Sequence, residues 1–115
     1  MILEGLRVLL VEDEPIIAMP AEDMLEELGC TVVHTASTLA AALEAVEREE
    51  FDIALLDINL NGTESLPVAD RLREAGRPFV FTTGYGAEAA RGAPVVVKPY
   101  KLRDLEMAIA TALGH

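Results

Sequence analysis

The sequence predicts an α/β protein built on a parallel β-sheet with helices over both faces. Three observations carry this. The runs at 7–11, 53–56, 79–81 and 94–97 are almost continuously apolar, as strands are when both faces are buried. The segments between them place apolar residues at helical spacing. Runs and segments alternate along the chain, the order that right-handed crossovers wind into a doubly covered sheet.

In chain order, the run at 7–11 gives the first strand. Ile17, Ala21, Met24, Leu25 and Leu28 then form a helical stripe, and Gly29 supplies a stop. Pro20 lies inside that stripe and removes a bond to the Ile16 carbonyl, so a kink or a delayed helix start is expected. A weaker strand follows at 31–34. Leu39, Ala42, Leu43 and Val46 make the second helix, with Ser37 or Thr38 as its N-cap. The run at 53–56 is the third strand. Leu66, Ala69 and Leu72 give a third helix, ended by Gly76, before the strand at 79–81. Only ten residues separate Thr83 from Pro94, so the fourth helix is expected to be shortened. The strand at 94–97 leads to a last helix carrying Leu102, Leu105, Ile109 and Leu113. This order fits a flavodoxin-like, doubly wound, five-stranded sheet with strand order 2-1-3-4-5. Such sheets bind ligands beyond the carboxyl ends of strands 1 and 3.

A chain of 115 residues suits one domain, taken as 1–115. No apolar run approaches the roughly 18–20 residues of a membrane span, and no basic segment precedes an apolar stretch at the start, so a cytoplasmic location is expected. The formal net charge of −11 argues against nucleic acid or a membrane surface as partner and favours cations wherever carboxylates meet. Cys30 is the sole cysteine and is read as a small core residue.

The residues after each strand are polar. Glu12 and Asp13 follow the first strand, Asp57 the third, Thr82 and Thr83 the fourth, and Lys98 the fifth. Taken singly, each has a plain structural role: Asp13 as an N-cap ahead of Pro15, Asp57 as a turn residue before Asn61-Gly62, Lys98 as a solvated side chain. Taken together, they occupy one sheet edge. Three converging carboxylates need a cation, and Mg²⁺ suits hard oxygen ligands. Asp13 and Asp57 can ligate it directly, Glu12 directly or through water, and the Asn59 backbone carbonyl can add an oxygen. Lys98 brings positive charge from the opposite side, and a threonine hydroxyl can donate to a tetrahedral anion on Asp57. These are the needs of phosphoryl transfer to an aspartate.

The chain resembles the receiver domain of two-component response regulators. The matching stretches are Val8-Leu9-Leu10-Val11-Glu12-Asp13-Glu14, Asp52-Ile53-Ala54-Leu55-Leu56-Asp57-Ile58-Asn59-Leu60, Thr83, and Lys98-Pro99-Tyr100. The resemblance implies that Asp57 receives a phosphoryl group from a phosphohistidine on a sensor histidine kinase or a histidine phosphotransfer protein. It implies an acidic metal pair in Glu12 and Asp13, Thr83 as the switch hydroxyl, Lys98 as the phosphate-contacting lysine, and a cis peptide before Pro99. Val95 and Val96 stand where receivers usually carry an aromatic switch residue. With Phe81-Thr82-Thr83-Gly84-Tyr85, this looks like the alphaproteobacterial subfamily with a Phe-Ala-Thr-Gly-type motif, whose fourth helix is reduced. Tyr85 and Tyr100 are candidate replacements for that aromatic, or simple packing residues. His34 and His115 carry no role.

The expectation is therefore a stand-alone, monomeric bacterial receiver that is not an enzyme acting on outside substrates. Phosphorylation is expected to draw Thr83 inward, shift the loop at 84–94 and change contacts with a downstream protein not identified by the sequence. Two other readings are a fold-preserving interaction module and a Mg²⁺-dependent phosphohydrolase. Against the second, Asn59 is not an acid and the chain has no room for a substrate cap.

Overall fold

The computed structural model describes residues 3–60, 62–84 and 93–114. The elements run β1 (Arg7–Val11), α1 (Pro15–Glu27), β2 (Thr31–Ala36), α2 (Leu39–Arg48), β3 (Ile53–Asp57), β4 (Asn59–Leu60), β5 (Thr63–Glu64), α3 (Leu66–Glu74), β6 (Phe79–Thr83), β7 (Val95–Val97) and α4 (Leu102–Ala112). Five strands pair in parallel in the order β2-β1-β3-β6-β7. This is the predicted 2-1-3-4-5, with a short antiparallel hairpin, β4–β5, inserted after β3.

Alternation along the strands sorts the apolar residues into two cores. Leu9, Val11, Ala54, Leu56 and Phe81 pack with Ala42 and Val46 of α2 and Val68, Ala69 and Leu72 of α3. Val8, Leu10, Ile53, Leu55, Val80 and Val96 pack with Ala21 and Leu25 of α1 and Leu105 and Ile109 of α4. The central strands are buried throughout, as their unbroken apolar runs required. β7 departs from that rule: Val97 is 48% exposed, because β7 lies at the edge with β6 as its sheet neighbour.

Several boundaries differ from the sequence reading. β3 takes in Asp57, β6 takes in Thr82 and Thr83, and β2 reaches Ala36. Asp57, Thr82 and Thr83 therefore belong to the ladder itself, while Glu12 and Lys98 directly follow β1 and β7. α1 starts at Pro15, not after Pro20, with Glu14 as its N-cap and Pro15 in the first turn. Asp13 is thus not the capping residue. Pro20 is tolerated within α1 because it and the strongly exposed Ile16 lie on the water-facing side, where a carbonyl that loses its helical partner can bond water. Of the two N-cap candidates for α2 it is Thr38, whose Oγ1 accepts from the Ala41 N–H at 3.0 Å. Gly76 ends α3 with φ +68°, a conformation that favours glycine.

The Lys98–Pro99 bond is cis. Cys30 is buried, and burial pushes its thiol up to about 11, which leaves it unreactive. His34 is exposed. Among the described residues no helix is long and apolar enough to cross a membrane. The expected shortened fourth helix, Tyr85, Gly86, Gly92, Asn61 and His115 lie outside the described residues.

Candidate functional site

The carboxyl edge of the sheet gathers the polar residues that end β1, β3, β6 and β7. Each apolar strand holds its last residue at the same level as its neighbour's. Val11 pairs with Leu56, Asp57 with Thr82 and Thr83 with Val97. Glu12 follows β1 directly and anchors there through its N–H, which donates to the Ala36 carbonyl of β2 at 3.0 Å.

Glu12, Asp13 and Asp57 each present a carboxylate oxygen, and these oxygens lie within 4.8 Å of one another. Lys98 joins two of them. Its Nζ donates to Glu12 Oε1 at 2.7 Å and to Asp57 Oδ2 at 3.1 Å. Lys98 thus contacts two of the three carboxylates directly. The side chains of Lys98, Glu12 and Asp57 are only 16%, 3% and 8% exposed, so water screens this cluster weakly.

Burial pushes the Glu12 carboxyl up to about 7; the Asp57 charge adds to this, while the hydrogen bond from Lys98 opposes it. For Lys98, burial works against the charge, yet the hydrogen bonds to Glu12 and Asp57 prevail and its ammonium is held above the usual lysine value. Tyr100 is half-buried beside this group, and burial raises its hydroxyl. Its ring packs against the α1/α4 core.

The β4–β5 hairpin bears on the expected metal ligands. Ser65 N–H donates to the Ile58 carbonyl at 2.7 Å, one of the two bonds of a hydrogen-bonded position, the Ile58 N–H being turned to Thr82. The next pair, Asn59 with Glu64, is then of the non-hydrogen-bonded kind. The Asn59 N–H and carbonyl accordingly face away from β5, and the N–H donates to Asp57 Oδ1 at 3.2 Å. The three carboxylates make an all-oxygen group suited to a hard divalent cation. The Asn59 side chain serves the hairpin, its Oδ1 accepting from Gly62 N–H at 2.8 Å.

Thr82 and Thr83 are both buried at the end of β6. Thr82 stands opposite Asp57 in register, and the Thr83 carbonyl accepts from the Lys98 N–H at 2.7 Å. Glu12, Asp13, Asp57 and Lys98 are thus brought together through side chains, and Thr83 is tied to Lys98 through the backbone. The sequence reading passed over Ser65, whose buried hydroxyl donates to the Asp57 main-chain carbonyl at 2.5 Å. Its signal was a serine just ahead of Leu66-Pro67, which reads as a helix cap.

Beside Lys98 a mostly apolar groove of about 370 Å³ runs between α1 and the segment before α4, bounded by Ile16, Ile17, Pro20, Met24, Pro99 and Tyr100.

Known proteins share this fold. The response regulator receiver domain family matches residues 8–110. SdrG from Sphingomonas melonis superposes with a TM-score of 0.84 at 42% identity, over 98% of this chain and 99% of that one. The receiver domain of PhyR from Erythrobacter litoralis gives a TM-score of 0.83 at 30% identity, over 98% and 93% of the two chains. In sequence, the phyllosphere-induced regulator PhyR of Methylorubrum extorquens is 33% identical over 114 residues, 92% of this chain and 43% of that protein. The chain spans about half the length of the curated relatives it matches. These relatives include the alphaproteobacterial group to which the Phe81–Gly84 motif pointed.

Proposed function

Because this chain belongs to the response regulator receiver domain family, we propose that Asp57 is its phosphoacceptor, supplied by a phosphohistidine on a sensor kinase or histidine phosphotransfer protein. The observation that carries this reading is the setting of Asp57: a nearly buried carboxylate at the switch point of the sheet, hydrogen-bonded to Lys98 and grouped with Glu12 and Asp13.

Asp57 uses a carboxylate oxygen to attack phosphorus. The phosphorus–nitrogen bond to the donor imidazole breaks, its electron pair stays on the imidazole, and the acyl phosphate remains on Asp57. Glu12, Asp13, Asp57 and the Asn59 carbonyl are the groups that would hold Mg²⁺, which supplies charge neutralisation for the phosphoryl oxygens. Lys98 is already aimed at Asp57 and offers its ammonium to the same oxygens. The Thr83 hydroxyl is assigned to a further phosphoryl oxygen. The groove beside Lys98 supports a donor that is a protein, with apolar surface next to its histidine.

An added phosphoryl group brings about −1.5 to −2 charges. Lys98 and Thr83 respond together, since the Lys98 N–H is bonded to the Thr83 carbonyl, and the β7 and α4 surface changes with them. The protein acts in this reading as a cytoplasmic signalling phosphoacceptor, with self-dephosphorylation as its sole turnover.

The test is incubation with acetyl phosphate and Mg²⁺, followed by intact mass measurement of wild type and Asp57→Asn. The wild type should gain one phosphoryl group and the variant none. Absence of labelling together with absence of Mg²⁺ binding would favour an interaction module, and rapid turnover of varied phosphate esters would favour a hydrolase.

A further inference from the structure

Asp57 is also held through its main chain, by Ser65. This residue precedes α3 and is fully buried. A serine in that place usually turns its hydroxyl onto the free N–H groups of the helix. Here it makes no such cap. Its hydroxyl donates to the Asp57 carbonyl at 2.5 Å, and its N–H donates to the Ile58 carbonyl at 2.7 Å. Two consecutive carbonyls at the exit of β3 therefore end on one residue. Ser65 also fixes the start of α3, since its carbonyl accepts from Val68 N–H at 2.9 Å and Ala69 N–H at 3.3 Å.

The strand order explains why this clasp is needed. β1 pairs with β3 only as far as Val11 and Leu56. The Asp57 carbonyl lies past the end of that ladder. On the other side, the Ile58 N–H is bonded to the Thr82 carbonyl at 3.0 Å. A buried carbonyl requires a donor, and the Ser65 hydroxyl is that donor.

We propose that Ser65 is a positioning residue for phosphoryl acceptance, fixing the peptide plane between Asp57 and Ile58 and thereby the relation of the Asp57 carboxylate to the Asn59 carbonyl. The inference rests on the reading of Asp57 as phosphoacceptor. Rotation of that plane changes the backbone angles on both sides of it and swings Asn59 relative to Asp57. The contact from Asn59 N–H to Asp57 Oδ1, 3.2 Å, spans the same plane and reports on it. Ser65 touches no reacting group. It acts in the manner of an outer residue that orients metal ligands, whose loss typically weakens metal binding about 10- to 100-fold.

The test compares Ser65→Ala with Ile109→Val, a mild truncation in the α1/α4 core that serves as a stability control. Three quantities are measured: Mg²⁺ affinity by calorimetry, the acetyl phosphate labelling rate at saturating Mg²⁺, and the amide shift of Asn59 by NMR. Ser65→Ala should bind Mg²⁺ roughly tenfold more weakly, label more slowly even at saturation, and move the Asn59 resonance. Ile109→Val should lose melting temperature and change none of the three. Should the alanine variant not fold, Ser65→Cys, similar in size with a far weaker donor, replaces it. Changes in the Ser65 variant no larger than those of Ile109→Val overturn the proposal and leave the phosphoacceptor reading intact. A wild type that takes no label on Asp57 overturns both.

Discussion

Removing the Lys98 ammonium probes what holds the carboxyl edge together. Its Nζ lies 2.7 Å from Glu12 and 3.1 Å from Asp57, in a setting nearly closed to water. Lys98→Met keeps most of the side chain's length and discards the charge. Glu12, Asp13 and Asp57 are then left facing one another without their internal cation. Deleting one partner of a buried ion pair costs about 3–5 kcal/mol, chiefly because the remaining charge is stranded. Glu12 can relieve part of this by taking a proton, its carboxyl being already at about 7, so the low end, about 3 kcal/mol, is expected. A domain of this size loses roughly 4 °C of Tm per kcal/mol, so the metal-free variant should melt roughly 12 °C below wild type. Lys98 also occupies two of the oxygens that Mg²⁺ would use. Excess Mg²⁺ should therefore raise the Tm of the variant by more than it raises that of wild type. The assay is thermal unfolding by circular dichroism at low salt, with EDTA and with excess Mg²⁺. Equal melting of the two proteins in EDTA refutes the role of Lys98 as counter-ion, and equal Mg²⁺ increments refute the competition.

Other outcomes follow from the same geometry. Asp52 accepts from the Arg7 N–H at 2.8 Å and from its Nη2 at 3.1 Å, which holds its carboxyl below the usual 3.8. A depressed carboxylate contributes stability above its unfolded value and loses it as the pH falls through the folded one. Asp52→Asn should thus be the less stable protein at neutral pH, with the gap to wild type closing as the pH drops below that of a free aspartate; urea unfolding across that range checks it. Leu105 is fully buried where α4 meets the sheet, and Leu105→Ala should cost about 3 kcal/mol by cavity formation. Its labelling rate with acetyl phosphate should stay at the wild-type value under conditions where it remains folded.

The strand order was legible because each apolar run ends at a polar residue, and those ends align only in one sheet. Glu12, Asp13, Asp57 and Lys98 were found on that ground, before any contact was known. What escaped depends on neighbours in space. Val95, Val96 and Val97 read as a buried strand, since an apolar run does not tell an edge position from a central one. The β4–β5 hairpin lacks alternating polarity; its order comes from the Asn59 side chain bonding Gly62 and the Ser65 backbone bonding Ile58. Ser65 was passed over because the local pattern is the same whether its hydroxyl turns forward to α3 or back to β3. The contact between Lys98 and Glu12 joins residues 86 positions apart and follows from the lateral order of strands and the reach of a glutamate.

That lateral order has a kinetic side. β1 and β3 are neighbours only with the intervening α1–β2–α2 segment looped out, and Lys98 joins them from beyond an edge strand paired with β6. Pairings so far apart in sequence form late, because chain entropy is lost before the contact rewards it. No fragment of this chain carries the carboxylate cluster together with its lysine, so the site has no local precursor. A cation bound there stabilises only the finished sheet, so its uptake would report that all of these distant pairings are in place.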